Sequence, residues 1–517
     1  MALDTENAVA DSAPAKKVST RHPIAFWFFF WGEFAERASY YGMRTILTLY
    51  LTAAVGLAAT EASPIQYYFK AAVYFLPLLG GFVADRFFGK YWTIVGFSIP
   101  YVAGHFILGI PDRTAVYIAL ALLAGGSGVI KPNISTLMGK TYDEQRPGQE
   151  KLLSSAFLWF YFSINIGSLI STFALPAIRN LYAGPIPDPK LLGPAYALAW
   201  QFPAIDPVKL VELVTRPRLQ HAYALAFQFP AWLMVIALAV FAAGKPFYAK
   251  DKIVRRPQTS PEERAERWRT LIKLAGIFAM IIFFWIPYEH NDTIWVHFIR
   301  DYVRLPSIPH GAFFGYPKTD FQIAPDQVQS LNPLFVLIFA PFFVWFFRKT
   351  DPNGRVFTAT NRMLLGFGMA AISSGLMLAA GSLAAGSPQS PQGYIVPEAQ
   401  KLSVLWPAVA YITLTLAEVL IYGTGLELSY TAAPQSMKGF ITGCFLATIG
   451  IADLVDSRIG RLYGGSLPDP LDKRGPLSTA WFFGVMSLIA IVAMVGFFFV
   501  GRRLQRHSAA EASPAPE

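Results

Sequence analysis

The sequence predicts an all-α polytopic membrane protein with about twelve transmembrane helices in two six-helix bundles, and three observations lead there. First, 54% of the 517 residues are hydrophobic and only 15% are charged, against about 25% charged in soluble chains; mean hydropathy is +0.40. Second, stretches of about 20 mostly apolar residues recur along the chain, each long enough to cross a bilayer core. Third, Lys and Arg gather in alternate loops. About 25 lie on the side of the termini and about 14 on the other, leaving out Arg37, Arg44, Lys70 and Lys131 within spans.

The expected spans are 25–52, 64–85, 91–111, 115–139, 153–181, 221–244, 268–299, 328–348, 360–383, 403–431, 437–463 and 478–501. Residues 1–24 are polar, without a signal-peptide core, so the first span is expected to direct insertion. Spans up to 244 form the first bundle (25–244), and those in 268–503 form the second. The basic segment 245–267 divides them as a cytoplasmic linker, and 504–517 reads as a disordered tail. An even number of spans puts both termini on one side, which the Lys/Arg bias makes cytoplasmic. Residues 182–220 and 300–327 are Pro- and aromatic-rich extracytoplasmic insertions. The prolines Pro77, Pro100, Pro132, Pro287, Pro333, Pro341, Pro407 and Pro434 are expected to bend their helices. The net charge of +10 follows from the loop bias and does not point to nucleic acid. The only cysteine, Cys444, excludes an intrachain disulfide.

The first span carries Glu33, Glu36, Arg37 and Arg44 among aromatics. Ionisable groups at membrane depth face a polar cavity or one another and mark a substrate or proton path. At helical spacing Glu33, Arg37, Tyr40 and Arg44 share one stripe, flanked by Glu36 and Tyr41. Lys131 lies deep in its span, within Gly126-Ser-Gly128-Val-Ile-Lys131-Pro132-Asn133, where the glycines permit close helix approach. Glu289 and His290 follow Pro287 and are candidate proton carriers; Asp292 stands with them, at the rim if the proline breaks the helix. Glu418 is a lone acid in an apolar run, with Glu427 a weaker candidate. Asn165 and Asn332 offer neutral hydrogen-bonding groups. Lys70 reads as interfacial or snorkelling. The loop Gly80 to Tyr91, with Asp85 and Arg86, reads as a conformational latch. Metal-ligand spacings, phosphate-binding Gly loops and nucleophile elbows are missing, so the chain does not read as an enzyme and needs no cofactor.

Taken together these motifs resemble the proton-dependent oligopeptide transporter family of the major facilitator superfamily, over residues from about 25 to 502. Glu33 to Gly42 matches the first-helix Glu-x-x-Glu-Arg pattern with its Tyr-Tyr-Gly. Gly81 to Lys90 matches the loop between the second and third helices. Gly126 to Asn133 matches Gly-x-Gly-x-x-Lys-Pro-Asn, Phe160 to Ser168 matches Phe-Tyr-x-x-Ile-Asn-x-Gly-Ser, and Gln329 to Pro333 matches Gln-x-x-Asn-Pro. The chain departs from the family at Tyr422-Gly423 (usually Ser-Pro), His290 (commonly Gln), Phe445 (often Trp) and Tyr67 (a histidine in animal members).

The resemblance implies a monomeric, multi-pass symporter of the cytoplasmic (inner) membrane. It would import di- and tripeptides by alternating access, driven by the proton gradient. Arg37, Lys131 and Tyr41 would receive the peptide carboxylate. Glu418, with Asn165 and Asn332, would receive the ammonium. Tyr40 and Tyr74 would line the pocket, with Trp406 and Phe445 adding aromatic walls. Arg44–Glu289 would gate the extracytoplasmic side and Lys131–Glu418 the cytoplasmic side. Glu33, Glu36, Arg37, Glu289 and His290 would share proton coupling. The alternatives are a family member moving nitrate or an organic anion, and a peptide sensor that does not transport.

Overall fold

Helix-favouring apolar runs bounded by Gly, Pro and Asp give twelve helices of at least 20 residues among the described residues. They are α1 (Ile24–Leu49), α2 (Ala59–Val83), α3 (Gly89–Leu108), α4 (Arg113–Gln145), α5 (Glu150–Ala183), α6 (Pro207–Ala243), α7 (Pro261–Tyr288), α8 (Leu331–Thr350), α9 (Ala359–Ala385), α10 (Leu405–Thr431), α11 (Lys438–Ile459) and α12 (Thr479–Ala512). The computed structural model describes residues 21–183, 194–195, 197–198, 201–202, 207–250, 260–312, 320–352, 356–386, 396–431, 438–464 and 475–512. Pro434, 251–259 of the linker and parts of both insertions lie outside them.

Local chemistry sets the ends. Asp112 caps α4 by accepting from the Ala115 N–H at 3.0 Å, and Thr358 caps α9 through the Asn361 N–H. The α2–α3 junction is a π turn, Ala84–Phe88, followed by Gly89 at φ 75°, a backbone angle that favours glycine.

Four expectations change. The span 268–299 is two pieces: α7 ends at Tyr288, a 3₁₀ turn covers Glu289–Asp292, and a short helix runs Ile294–Tyr302. Pro287 supplies no N–H to the ladder at that break. α7 starts at Pro261, inside the expected linker. α6 starts at Pro207, so the end of the 182–220 insertion is helical. α12 continues to Ala512, through the first part of the expected tail, where Ala509, Ala510, Glu511 and Ala512 are strong helix formers. The 300–327 region holds a short antiparallel pair, Ser307–Ile308 with Phe321–Gln322.

The packing repeats. In the first six helices α1 packs on α5 and α6, α2 on α4, and α3 on α4 and α6. In the second six α7 packs on α11 and α12, α8 on α10, and α9 on α10 and α12. Each of these contacts in the first half therefore recurs between the counterpart helices six places later. The main contacts across the halves, α2 with α11 and α5 with α8, exchange under the same correspondence, the signature of two parallel repeats. Two apolar cores result, one including Phe29, Met43, Leu123 and Phe227, the other Phe284, Met363, Tyr411 and Phe482. Large apolar side chains such as Trp232, Trp481 and Phe499 point outward at 57–72% exposure. Among the described residues, eight helical runs are long and apolar enough to cross a membrane, one of them spanning α2 and α3 together. α1 carries four charges in its apolar stretch, a departure that concerns its site rather than its place in the bundle.

Close approach is built on glycine. A Cβ on Gly167 would lie 2.7 Å from the Phe34 carbonyl oxygen, so α5 meets α1 backbone to side-chain-free backbone. Gly167→Ala should cost about 1–3 kcal/mol through overpacking. Gly96→Ala, which meets nothing within 4 Å, should be near neutral. Thermal unfolding of both variants in detergent checks the contrast.

Candidate functional site

Charges inside an apolar bundle need partners, and following each one to its partner divides the interior into two regions. The end where α1 finishes and α2 begins is here called the distal end. It is also where α5, α7 and α11 finish and α8 and α12 begin.

Near mid-length of α1, Arg37 contacts both neighbouring acids, with Nε 3.1 Å from Glu33 and in contact with Glu36. All three are at most 2% exposed. The Arg37 Nη2 group has no hydrogen-bond partner among the described residues. Lys131 of α4 is half-buried and lies 5.5 Å from the Tyr74 ring centroid. Tyr74, on α2, packs against the core of the second half, so this cation faces the interface between the halves. Opposite stands Glu418 of α10, also half-buried, accepting from Asn332 Nδ2 at 2.6 Å. Asn332 further donates to Thr415 at 3.2 Å and approaches the Tyr288 hydroxyl. Tyr41 lies within electrostatic reach of Arg37, Arg44 and Glu418, which joins the two sets. Among the described residues neither Lys131 nor Glu418 forms an ion pair, and the two do not pair with each other.

The other expected site residues divide. Asn165 donates to the Tyr161 carbonyl at 2.9 Å, within α5, and Tyr161 lies within electrostatic reach of Glu418. Tyr40 is 3% exposed in the first core, against Phe69. Phe445 is likewise sealed, packed on Phe278 and Tyr422, because Gly425 leaves it room. Trp406 is half-buried. Asn133 is committed to structure: it accepts from Lys90 at 3.0 Å and donates to the Gly80 and Val129 carbonyls. In the Gly80–Tyr91 latch Asp85 pairs with Lys90 at 2.9 Å, while Arg86 is exposed. Glu427 sits at the surface beside Arg362 at 3.3 Å.

At the distal end lies a region that the sequence reading placed wrongly. Lys70 is not interfacial. It is fully buried, with Nζ 2.7 Å from Glu289, 3.0 Å from Asp292 and 3.3 Å from Asp453. The expected gate partner of Arg44 was Glu289. The observed partner is Asp292, at 3.1 Å, because the turn after Pro287 brings that acid inward and Lys70 takes Glu289. Asp292 is therefore buried, not at the rim. His290 Nδ1 bonds the Tyr67 hydroxyl, and Nε2 is 3.3 Å from Asp456. Thr48 and Gln66 both donate to the Asp292 carbonyl. A second link joins Arg179 of α5 to Asp326, in the turn Pro325–Ser330 before α8, with Nη2–Oδ1 at 3.1 Å and a closer contact through Nη1. Both groups are at most 1% exposed. Asp453 and Asp456 fall inside an expected span, so an inventory of acids at membrane depth would have found them. The same inventory extended to cations would have found Arg179, inside the expected span 153–181, whereas nothing local marked Asp326.

All ion pairs that cross between the halves among the described residues, Arg44–Asp292, the Lys70 set and Arg179–Asp326, are at the distal end. The structure is closed there, and the half-buried Lys131 and Glu418 lie on the other side of that closure. No cluster of three or more metal-type ligands occurs among the described residues.

Comparison with known proteins agrees with this architecture. The model described as POT family matches residues 91–261 and 251–464. Solute carrier family 15 member 2 of Oryctolagus cuniculus is 28% identical over 413 residues, 70% of this chain and 50% of that protein. The chain thus spans about half the length of that relative. Dipeptide and tripeptide permease B of Edwardsiella piscicida is 27% identical over 499 residues, 91% of this chain and 94% of that one. The solved POT family transporter PepTSo superposes with TM-score 0.70 at 24% identity, covering 94% of this chain and 99% of that one. A mutant peptide transporter POT in complex with alafosfalin gives TM-score 0.69 at 22% identity, covering 94% and 96%. These structures share the fold.

Removing one partner of a buried pair leaves an uncompensated charge and costs about 3–5 kcal/mol, whereas apolar replacement of both is far milder. Arg179→Met should therefore lower thermal stability strongly, and Arg179→Met with Asp326→Leu should recover most of the loss. Unfolding curves of the two variants provide the measurement.

Proposed function

Since the chain belongs to the POT family, a family of transporters and not of enzymes, we propose that it is a proton-coupled symporter importing di- and tripeptides by alternating access. One observation carries the reading. Lys131 on one half and Glu418 on the other face the interface without an ionic partner among the described residues. A zwitterionic peptide has a carboxylate at one end and an ammonium at the other, and it satisfies both charges while spanning the two halves. A simple anion would leave Glu418 unanswered, which disfavours nitrate or an organic anion.

In this reading Lys131, Arg37 and Tyr41 receive the peptide carboxylate. Glu418 receives the ammonium, with Asn332 orienting its carboxylate and Asn165 nearby on α5. Tyr74 lines the pocket beneath Lys131. Arg37 can turn to the ligand only by loosening its hold on Glu33 and Glu36. Either acid then takes a proton more readily, since a nearby cation is what favours its ionised form. That exchange links peptide carboxylate to proton, alongside Glu289 and His290 at the distal end. The distal end is the extracytoplasmic side, both termini are cytoplasmic and the membrane is the cytoplasmic one. The protein works as a monomer, with the proton gradient as its energy source and no cofactor.

Opening to the outside requires the Arg44–Asp292, Lys70 and Arg179–Asp326 contacts to part. Bundle-against-bundle rocking about a central site provides that motion.

Uptake of labelled dialanine into proteoliposomes tests the function. Accumulation should need an inward proton gradient and be competed by other dipeptides but not by free alanine. Binding without flux would instead indicate a sensor. Glu418→Gln keeps the shape but removes the charge. A charged hydrogen bond worth about 1.5–3 kcal/mol would be lost, so KM for dialanine should rise about 10- to 100-fold. Unchanged KM would remove Glu418 from the ammonium site.

A further inference from the structure

The two buried ionic clusters differ in charge balance. Around Arg37 there are two acids, Glu33 and Glu36, and two cations, Arg37 and Lys131, so no net charge is left over. The distal cluster has four acids, Glu289, Asp292, Asp453 and Asp456, and two cations, Arg44 and Lys70. Lys70, His290, Asp292, Asp453 and Asp456 are all 0% exposed, and Glu289 is 3% exposed. With every acid ionised and His290 neutral, this interior would hold two uncompensated negative charges, which a buried site does not tolerate.

The geometry shows where the excess lies. Glu289 and Asp292 take the close contacts of the cations. Among the described residues, both oxygens of Asp453 and both of Asp456 have no hydrogen-bond partner. There Asp453 has the 3.3 Å approach of Lys70, and Asp456 that of His290 Nε2. The other described groups facing the cluster supply no further cation. α1 offers Thr48, α2 offers Gln66 and Tyr67, the turn after α7 offers Thr293, and α12 sets Phe482 against the His290 ring. Arg458 and Arg461, in and just after α11, are exposed and act on Tyr68 instead.

We propose that Asp453 and the Asp456–His290 pair form a two-proton site on the distal side of α11 that must be loaded before the extracytoplasmic mouth closes. This rests on the proton-coupled reading above and names where coupling protons reside. When the mouth opens, Arg44 and Lys70 leave with α1 and α2, and the acids of α7 and α11 meet outside water. Two protons bind from that water, one as an O–H on Asp453 and one shared by Asp456 and His290 Nε2. Closure then buries four acids, two cations and two protons with no excess charge. Passing each proton to water on the cytoplasmic side breaks its O–H or N–H bond and restores the two uncompensated charges, which drive the distal end open again.

The test uses full-length protein in proteoliposomes, comparing wild type with Asp453→Asn/Asp456→Asn, which imitates the loaded site. Under an inward gradient of one pH unit, each coupled proton supports about tenfold accumulation. The double variant should keep dialanine counterflow but lose about tenfold in accumulation for each proton removed. Accumulation equal to wild type would overturn the proposal. Infrared spectroscopy of the wild-type protein at neutral pH gives a second measurement that does not depend on recovering the double variant. A protonated-carboxyl band that weakens in Asp453→Asn alone supports the site, and absence of the band overturns it. If wild-type protein fails to accumulate dialanine, the peptide reading falls, and the infrared result still decides whether the pair is protonated.

Discussion

Charge inside an apolar bundle has to be answered by opposite charge, and one residue, Lys70, shows how far this protein depends on that rule. It is fully buried and touches acids from the end of α7 and from α11. An unpaired ammonium there would be costly, so α2 can take this position only when the second half brings its carboxylates alongside. The distal closure is therefore a consequence of electrostatics, with the helix packing arranged to deliver it. Arg179–Asp326 applies the same logic to the symmetry-related contact of α5 with α8.

The interface between the halves holds the complementary arrangement. Lys131 and Glu418 are placed on opposite halves and left without ionic partners among the described residues. Neutral groups, Asn332 and the Tyr74 ring, hold them in place. Neutral support orients a charge without satisfying it, which keeps it available to a ligand. The Arg37 cluster lies between these extremes: sealed, balanced, and with one guanidinium nitrogen lacking a hydrogen-bond partner among the described residues. A transporter that must release its substrate benefits from such graded satisfaction, since ligand charges replace contacts that are already only partly made.

Much of this was legible in the sequence. The spans followed from hydropathy, and the ionisable residues at depth followed from their being in apolar runs. Glu33, Arg37, Lys131 and Glu418 were all visible that way. One reading failed for reasons of context. Lys70 looked interfacial because its partners are far away in sequence. Tyr40 and Phe445, expected as pocket walls, are buried in the two cores. Asn133, which the sequence offered only as the end of a motif, ties α2, α3 and α4 together through Gly80, Lys90 and Val129.

The sequence by itself determined that the chain is a helical membrane protein, where its helices run, and which residues carry charge into the interior. Those are properties of local composition and of the cost of transferring each residue into lipid. Only the tertiary structure decided which charges meet. Arg44 finds Asp292, Lys70 finds Glu289, Asp292 and Asp453, and Glu418 finds the neutral Asn332 and Tyr288. Pairing is a matter of distance across helices that are hundreds of residues apart, set by the break after Pro287 and by the packing of α2 on α11, and no local pattern encodes it.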